Sequence, residues 1–405
     1  MEQPNSGGER RALWIYPWDI LDAGIDDTVG RARDEWGLAT LSLASSYHSA
    51  KFLLPRRSQR RVFLSGGSAV YFRPEDKLYA GTPLRPVVSP DDTLLDVLDR
   101  TAAAGRRRGL GLRAWTVGLH NSRLGEAHPD ATAENVFGDR YPWALCPSNP
   151  DVRAYLVALV RDLATNHDLD AIDLESTGFH GLVHGHHHEL TGIALGPLEE
   201  FLLGLCFCRH CLARAAAAGV DAERLRRDVR DLLDTRFAEE AAMPTPDPTD
   251  LRPTLALLLA RPALAAYVRV RLATVTALVA EIKRDAVGES GVTLALTATT
   301  FVKPVANAWL EGIDLAALAA VADELIVLSY LTDSREVGAD ARLARDLTGN
   351  IDQVVMGLSL LHPATSDAAN LRAKVDAARA VGVTKFSFYN YGFLSDARLA
   401  WLAAL

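Results

Sequence analysis

Eight short apolar runs, each followed by helical periodicity or by a long loop and then a helix, constrain this chain more than any other feature. They cover residues 12–16, 39–44, 111–118, 171–175, 292–298, 325–330, 353–358 and 385–389, and read as buried strands. Helical patterns lie between them, at about 26–36, 91–107, 148–166, 263–284, 315–321, 339–347 and 366–381. The 91–107 pattern begins acidic and ends basic, the polarity that the helix dipole favours. Strands alternating with helices produce a parallel sheet. Eight such units in 405 residues fit an α/β chain folded as a (β/α)8 TIM barrel, one domain over 1–405 with a large insertion at 176–262 after strand four.

A doubly wound sheet is the alternative. The barrel is preferred because polar and aromatic residues follow nearly every strand end: Trp18 and Asp19, Tyr47 and His48, His120 and Asn121, Glu175, Lys303, Tyr330 with Asp333, His362, and Asn390 with Tyr391. Barrel sites are assembled from those ends, whereas a doubly wound sheet gathers its site at one switch point. No glycine-rich phosphate loop follows the first strand.

The formal charge of −8 argues against a nucleic-acid surface. Two basic clusters, Arg56, Arg57, Arg60 and Arg61, and Arg106 to Arg108, read as solvated charge, although the first can also meet an anionic ligand. The N-terminal segment lacks the apolar core of a signal peptide. No run of about 18 apolar residues marks a membrane span; the apolar stretch at 255–266 is short and broken by Arg261 and Pro262. Four cysteines, three of them crowded together, fit metal ligation in a reducing compartment better than a disulfide frame, so a cytoplasmic protein is expected. A homo-oligomer stays open.

The densest chemistry lies at 169–211. Asp173 and Glu175 are two apart on strand four and therefore share a face. In a barrel that face is the interior, where a carboxylate is costly unless paired or functional. Asp173 either ties down an arginine such as Arg113 or tunes its neighbour. Glu175, nearer the rim, reads as a general acid or base. His180, His184, His186, His187, His188 and Glu189 follow at once. They offer a catalytic metal site, contacts to sugar hydroxyls, or merely an exposed polar loop. Cys206, Cys208 and Cys211, with Cys146 from the loop after strand three, offer four thiolates, the ligand set of a closed structural zinc site. An empty thiol cluster is the bland reading, and His210 could replace Cys146.

The Cys-x-Cys-x-x-Cys cluster with one earlier cysteine resembles the family-42 β-galactosidases, zinc-containing (β/α)8 glycosidases. The resemblance implies Cys146, Cys206, Cys208 and Cys211 as zinc ligands. It departs at the reaction centre: that family has Asn-Glu at the end of strand four, where this chain has Leu174-Glu175. Its nucleophile is a glutamate after strand seven, where Gly357 to His362 holds no acid. Residues 170–175 also resemble the strand-four motif of chitinase-type barrels, Asp-Gly-x-Asp-x-Asp-x-Glu, but the position of that catalytic glutamate is Thr177.

Aromatic residues near the strand ends (Trp14, Trp18, Tyr47, Trp115, Trp143, Phe179, Tyr330, Tyr389 and Tyr391) favour a carbohydrate-like ligand, whose C–H faces stack on rings. The expectation is a glycoside hydrolase or close relative, with Glu175 as acid/base and Asp173 orienting it. A second carboxylate is sought first at Asp333 or Asp19, then at Glu189. Trp18, Tyr47, His48, His120, His180, His184, Tyr330 and Tyr391 are the expected substrate contacts. The alternatives are a metal-dependent lyase, isomerase or hydrolase built on the histidine run, and a sugar-binding barrel without catalysis.

Overall fold

A computed structural model describes residues 8–58, 61–183, 190–242, 245–298 and 305–405. Eight parallel strands follow one another around a closed sheet: β1 (Arg10–Ile15), β2 (Thr40–Tyr47), β3 (Gly111–Val117), β4 (Ala171–Glu175), β5 (Thr293–Thr297), β6 (Glu324–Leu328), β7 (Val354–Ser359) and β8 (Lys385–Tyr389). Leu13 of β1 is in register with Phe388 of β8 on one side and Leu41 of β2 on the other, so the sheet has no open edge and the doubly wound alternative is excluded. The fold is a (β/α)8 barrel.

Alternation along the strands separates two apolar layers. Leu13, Ile15, Leu41, Leu43, Ile172, Leu174, Leu294 and Leu296 face outward into the layer shared with the helices. Trp14, Tyr16, Ala44, Trp115, Ala295, Ile326 and Val355 face inward and fill the barrel. With both faces buried, each strand is an almost continuous apolar run, the reason all eight stand out in the sequence.

The helix Pro150–Asn166 leads into β4 and starts as its sequence demands: Asn149 caps it, accepting from the Asp151 N–H at 2.8 Å, and Pro150 takes the first position, where no donor is needed. The helix Pro262–Glu281, continued by a π turn over Ile282–Val287, is long and apolar enough to cross a membrane by length and composition, although Arg269 and Arg271 interrupt its apolar run. Its Val275, Leu278 and Val279 pack into the outer layer of the barrel.

The insertion carries the helices Pro197–Leu203, Arg209–Ala217, Ala222–Ala238 and Arg252–Ala260. Phe201, Leu202, Phe207, Leu225, Val229 and Leu233 give it an apolar cluster of its own, which also takes in Tyr267. Unforeseen in the sequence are the helix Pro17–Ala23 and two antiparallel hairpins, Lys51–Leu53 with Val62–Leu64 and Thr132–Glu134 with Arg140–Leu145.

Candidate active site

Asp173 and Glu175 do share the interior face of β4, but they meet different surroundings. Arg113 approaches Asp173 at 2.6 Å and Glu324 at 2.8 Å, while Lys385 reaches the other oxygen of Glu324 at 2.8 Å. The Ser42 hydroxyl donates to the free oxygen of Asp173 at 2.5 Å. Burial works against ionising Glu324, yet Arg113 and Lys385 hold its carboxyl below the usual range. Burial opposes the Arg113 charge too, and its two acid partners more than restore it. Asp173 thus belongs to a closed chain of charges inside the barrel, anchored on the arginine foreseen from sequence.

Glu175, two residues on, has no cationic partner among the described residues. Its Oε2 accepts from the indole N–H of Trp115 at 2.7 Å. Burial lifts its carboxyl from an ordinary 4.5 to about 7; the Trp115 bond works against that rise, and the charge of Glu311 adds to it. Aromatic rings wall this end of the barrel. Tyr47 meets Trp115 edge-on at 5.0 Å, Tyr330 stacks on Tyr389 at 5.7 Å, and the Tyr16 and Tyr389 hydroxyls are 3.2 Å apart. Burial raises the phenols of Tyr47, Tyr330 and Tyr389, and the Glu175 carboxylate raises all three further. A carboxyl titrating near neutrality inside such a wall can hold or release a proton at working pH.

The chain leaves β4 under strain. Ser176 has φ 62°, a left-handed conformation that no other non-glycine residue among those described adopts. Strained backbone of this kind gathers at functional sites. Two residues later, Gly178 lies so close to the Glu311 carbonyl oxygen that any side chain would collide with it. The neighbouring Phe179 N–H donates to that same oxygen at 2.8 Å. This backbone contact fixes the buried Glu311, at the end of the 3-10 turn Val305–Glu311, beside the β4 loop. Glu311 was not foreseen. The only signal for it was a lone acid followed by glycine in the apolar stretch 305–313.

The other candidates divide. Tyr47, His48, His120 and His180 form one continuous row: His48 stacks on Tyr47 at 4.2 Å and on His120 at 4.5 Å, and His120 lies 5.3 Å from His180. Burial lowers the His48 pKa, favouring a neutral imidazole suited to hydroxyl contacts. His180, Phe179 and Glu311 also line a cavity of about 380 Å³ between the rim and the insertion, with Phe201, Leu310 and Arg271. Trp18 is buried in the aromatic packing, stacked on Tyr16 at 4.6 Å, and offers no open platform. Tyr391 is buried beneath the Arg56 guanidinium, 3.8 Å from its ring centre. His184, Glu189, the other adjacent histidines and Lys303 lie outside the described residues.

Neither acid ranked first as a second carboxylate is the one that Glu175 feels. Asp333 caps the helix Ser334–Thr348, accepting from the Arg335 N–H at 2.8 Å, and pairs with the Arg335 side chain at 2.6 Å. Those bonds hold its pKa low and its charge at the surface. Asp19 lies in the first turn of the helix Pro17–Ala23, pressed against Gly392, where any Cβ would overlap its carboxylate. Burial lifts Asp19 to about 7, against the pull of Arg56, Arg57 and the Tyr16 N–H.

The four cysteines converge. The Cys146 sulfur lies 3.8 Å from Cys206, 3.6 Å from Cys208 and 3.5 Å from Cys211, and all four sulfurs fall within 4.8 Å of one another. Four thiolates arranged tetrahedrally around zinc, each about 2.3 Å from it, would be about 3.8 Å apart. All four are buried, and the Glu134 N–H donates to Cys206 at 3.4 Å. His210 is not among them; its Nε2 accepts from Arg209. The cluster could hold one metal ion.

No protein-family model matches the chain, and no curated protein matches it by sequence. Solved structures do match its fold. The PgaB (BpsB) glycoside hydrolase domain from Bordetella bronchiseptica aligns over 95% of this chain and 94% of its own, at 15% identity and TM-score 0.58. The catalytic domain of a β-amylase from Paenibacillus polymyxa aligns over 96% and 94%, at 10% identity and TM-score 0.52. An α-L-fucosidase from Paenibacillus thiaminolyticus aligns over 98% of this chain and 48% of its own, at 11% identity and TM-score 0.53. At such identities the likeness establishes the barrel.

Proposed function

We propose that the protein is a glycoside hydrolase, or a close relative, acting on a sugar or glycoconjugate by carboxylate acid/base chemistry. The observation that carries this reading is Glu175, a carboxyl raised to about 7 at the C-terminal rim of the barrel, where (β/α)8 enzymes assemble their sites. Protonated near neutrality, it would donate to the leaving glycosidic oxygen. Glu311 replaces Asp333 and Asp19 as the candidate second carboxylate. The row of Tyr47, His48, His120 and His180 would meet sugar hydroxyls, and Tyr330 with Tyr389 would meet the ring faces. The three neighbouring structures named as glycosidases support the class; a shared fold alone does not fix a reaction.

Zinc is the metal that fits Cys146, Cys206, Cys208 and Cys211. Four thiolates close its coordination shell, so it would supply cross-linking and no chemistry. Reduced thiols of this kind also fit a cytoplasmic location. Elemental analysis is expected to find one zinc per chain, lost together with several degrees of thermal stability in Cys206→Ser.

The function is tested by hydrolysis across a panel of aryl glycosides, comparing wild type with Glu175→Gln. Turnover by wild type, reduced roughly 10²- to 10⁴-fold in the variant with the zinc retained, supports the reading. Equal turnover in both removes Glu175 from the mechanism. Saturable sugar binding without turnover would point instead to a non-catalytic barrel.

A further inference from the structure

The basic cluster at 56–61 has no part in the chemistry above, yet its setting is unusual. Residues 51–64 carry Lys51, Arg56, Arg57, Arg60 and Arg61 and no acid, in a chain of net charge −8. The segment forms the hairpin Lys51–Leu53 with Val62–Leu64, which follows β2 at the same end of the barrel as Glu175. Its register pairs Lys51 with Leu64, Phe52 with Phe63 and Leu53 with Val62. Directly opposed residues share a face. Phe52 and Phe63 therefore point together toward the barrel, where they pack on Trp18 at 5.4 and 4.7 Å. Lys51, Leu53, Val62 and Leu64 point away.

The outward side chains are left bare. Leu53 is 65% exposed, Val62 61% and Leu64 67%. The hairpin beneath them is firmly held: Arg56 donates to the Tyr391 and Leu394 carbonyls at 2.9 and 2.6 Å, and Arg57 pairs with Asp22. The nearby Asp91 is occupied by the Thr93 N–H at 3.0 Å. Three aliphatic side chains thus stand exposed on an anchored hairpin, flanked by the exposed Lys51 and Arg61, and Val62 and Leu64 also border a cleft shared with Asp22 and Asp91.

We propose that this hairpin docks the barrel mouth onto an anionic lipid surface. Aliphatic side chains reaching the acyl boundary while cations meet headgroup phosphates is the chemistry of interfacial binding. A second copy of the chain fits poorly, because a two-fold contact sets each basic hairpin against its twin. A nucleic acid would engage the cations but leave the three aliphatic side chains without a role. Docking here turns the Glu175 end of the barrel toward the membrane.

The test is co-sedimentation of the full chain with vesicles of phosphatidylcholine alone and of phosphatidylcholine with phosphatidylglycerol. Binding is expected only with phosphatidylglycerol, weakening as salt is raised. Lys51→Gln/Arg61→Gln should lower the partition coefficient about fivefold for each charge removed. Leu53→Ser/Leu64→Ser should reduce binding at every salt concentration, with circular dichroism confirming that both variants fold. No binding by wild type, or binding undiminished in both variants, overturns the proposal. So does a lipid-free dimer that Leu53→Ser/Leu64→Ser dissolves, which would assign the face to a second copy.

Discussion

Asp173 and Glu175 stand two residues apart on one strand, face the same interior and are both carboxylates, yet the barrel treats them in opposite ways. Arg113, Ser42 and, through Glu324, Lys385 close a charge network around Asp173. Glu175 receives one indole N–H, a second acid and a wall of rings, and its proton is retained to about pH 7. Position and residue type are matched; only the partners differ. A barrel interior thus holds one carboxylate in a salt bridge and its neighbour protonated near neutrality from adjacent turns of the same pleat.

The contrast is open to breakage from either side. The largest effect on stability is expected from Arg113→Met, which leaves the buried Asp173 without a cation and Glu324 with Lys385 alone, and should cost about 3–5 kcal/mol in urea unfolding. The next is a pH dependence with a defined sign. Between an unfolded value of 4.5 and a folded value of about 7, the native state keeps a proton on Glu175 that the unfolded chain has released. Stability should therefore be full below the lower value and fall as pH rises through the upper one, by up to about 3 kcal/mol. Asp19, lifted from 3.8 to about 7, adds a slope of the same sign. Urea midpoints measured across this range should fall less steeply in Glu175→Gln, leaving the Asp19 share. The smallest effect belongs to Trp115→Phe. Loss of the indole hydrogen bond that favours the carboxylate should raise the Glu175 pKa by about one unit, read by carbon-detected NMR titration.

The barrel was legible because strands buried on both faces are unbroken apolar runs, and β4 is found at the residues expected, 171–175. The grouping of the four cysteines was legible from their spacing, and Arg113 from the need to pair an interior acid. The short hairpins were not, since three-residue strands carry too little pattern to register. Asp333 drew attention by following strand six, although Asp333 with Glu336 three residues later already spelled a helix start. Asp19 behind Pro17 carried a similar signature. Glu311 was hidden for a different reason. It lies 14 residues beyond the end of β5 and reaches Glu175 through a backbone contact between two loops, which no local pattern encodes.

The cysteine cluster bears on how the chain finds its fold. Cys146 and Cys206 are 60 residues apart, and the segment they bracket contains the helix Pro150–Asn166 and all of β4. A metal joining them closes that segment into a ring. By the cross-linking relation for a loop of this length, the unfolded chain would lose entropy equivalent to about 4 kcal/mol at room temperature. Glu175 lies inside the ring and touches none of its four ligands. Metal retained through partial unfolding would keep strand four within a closed loop, so refolding would search fewer arrangements of that strand.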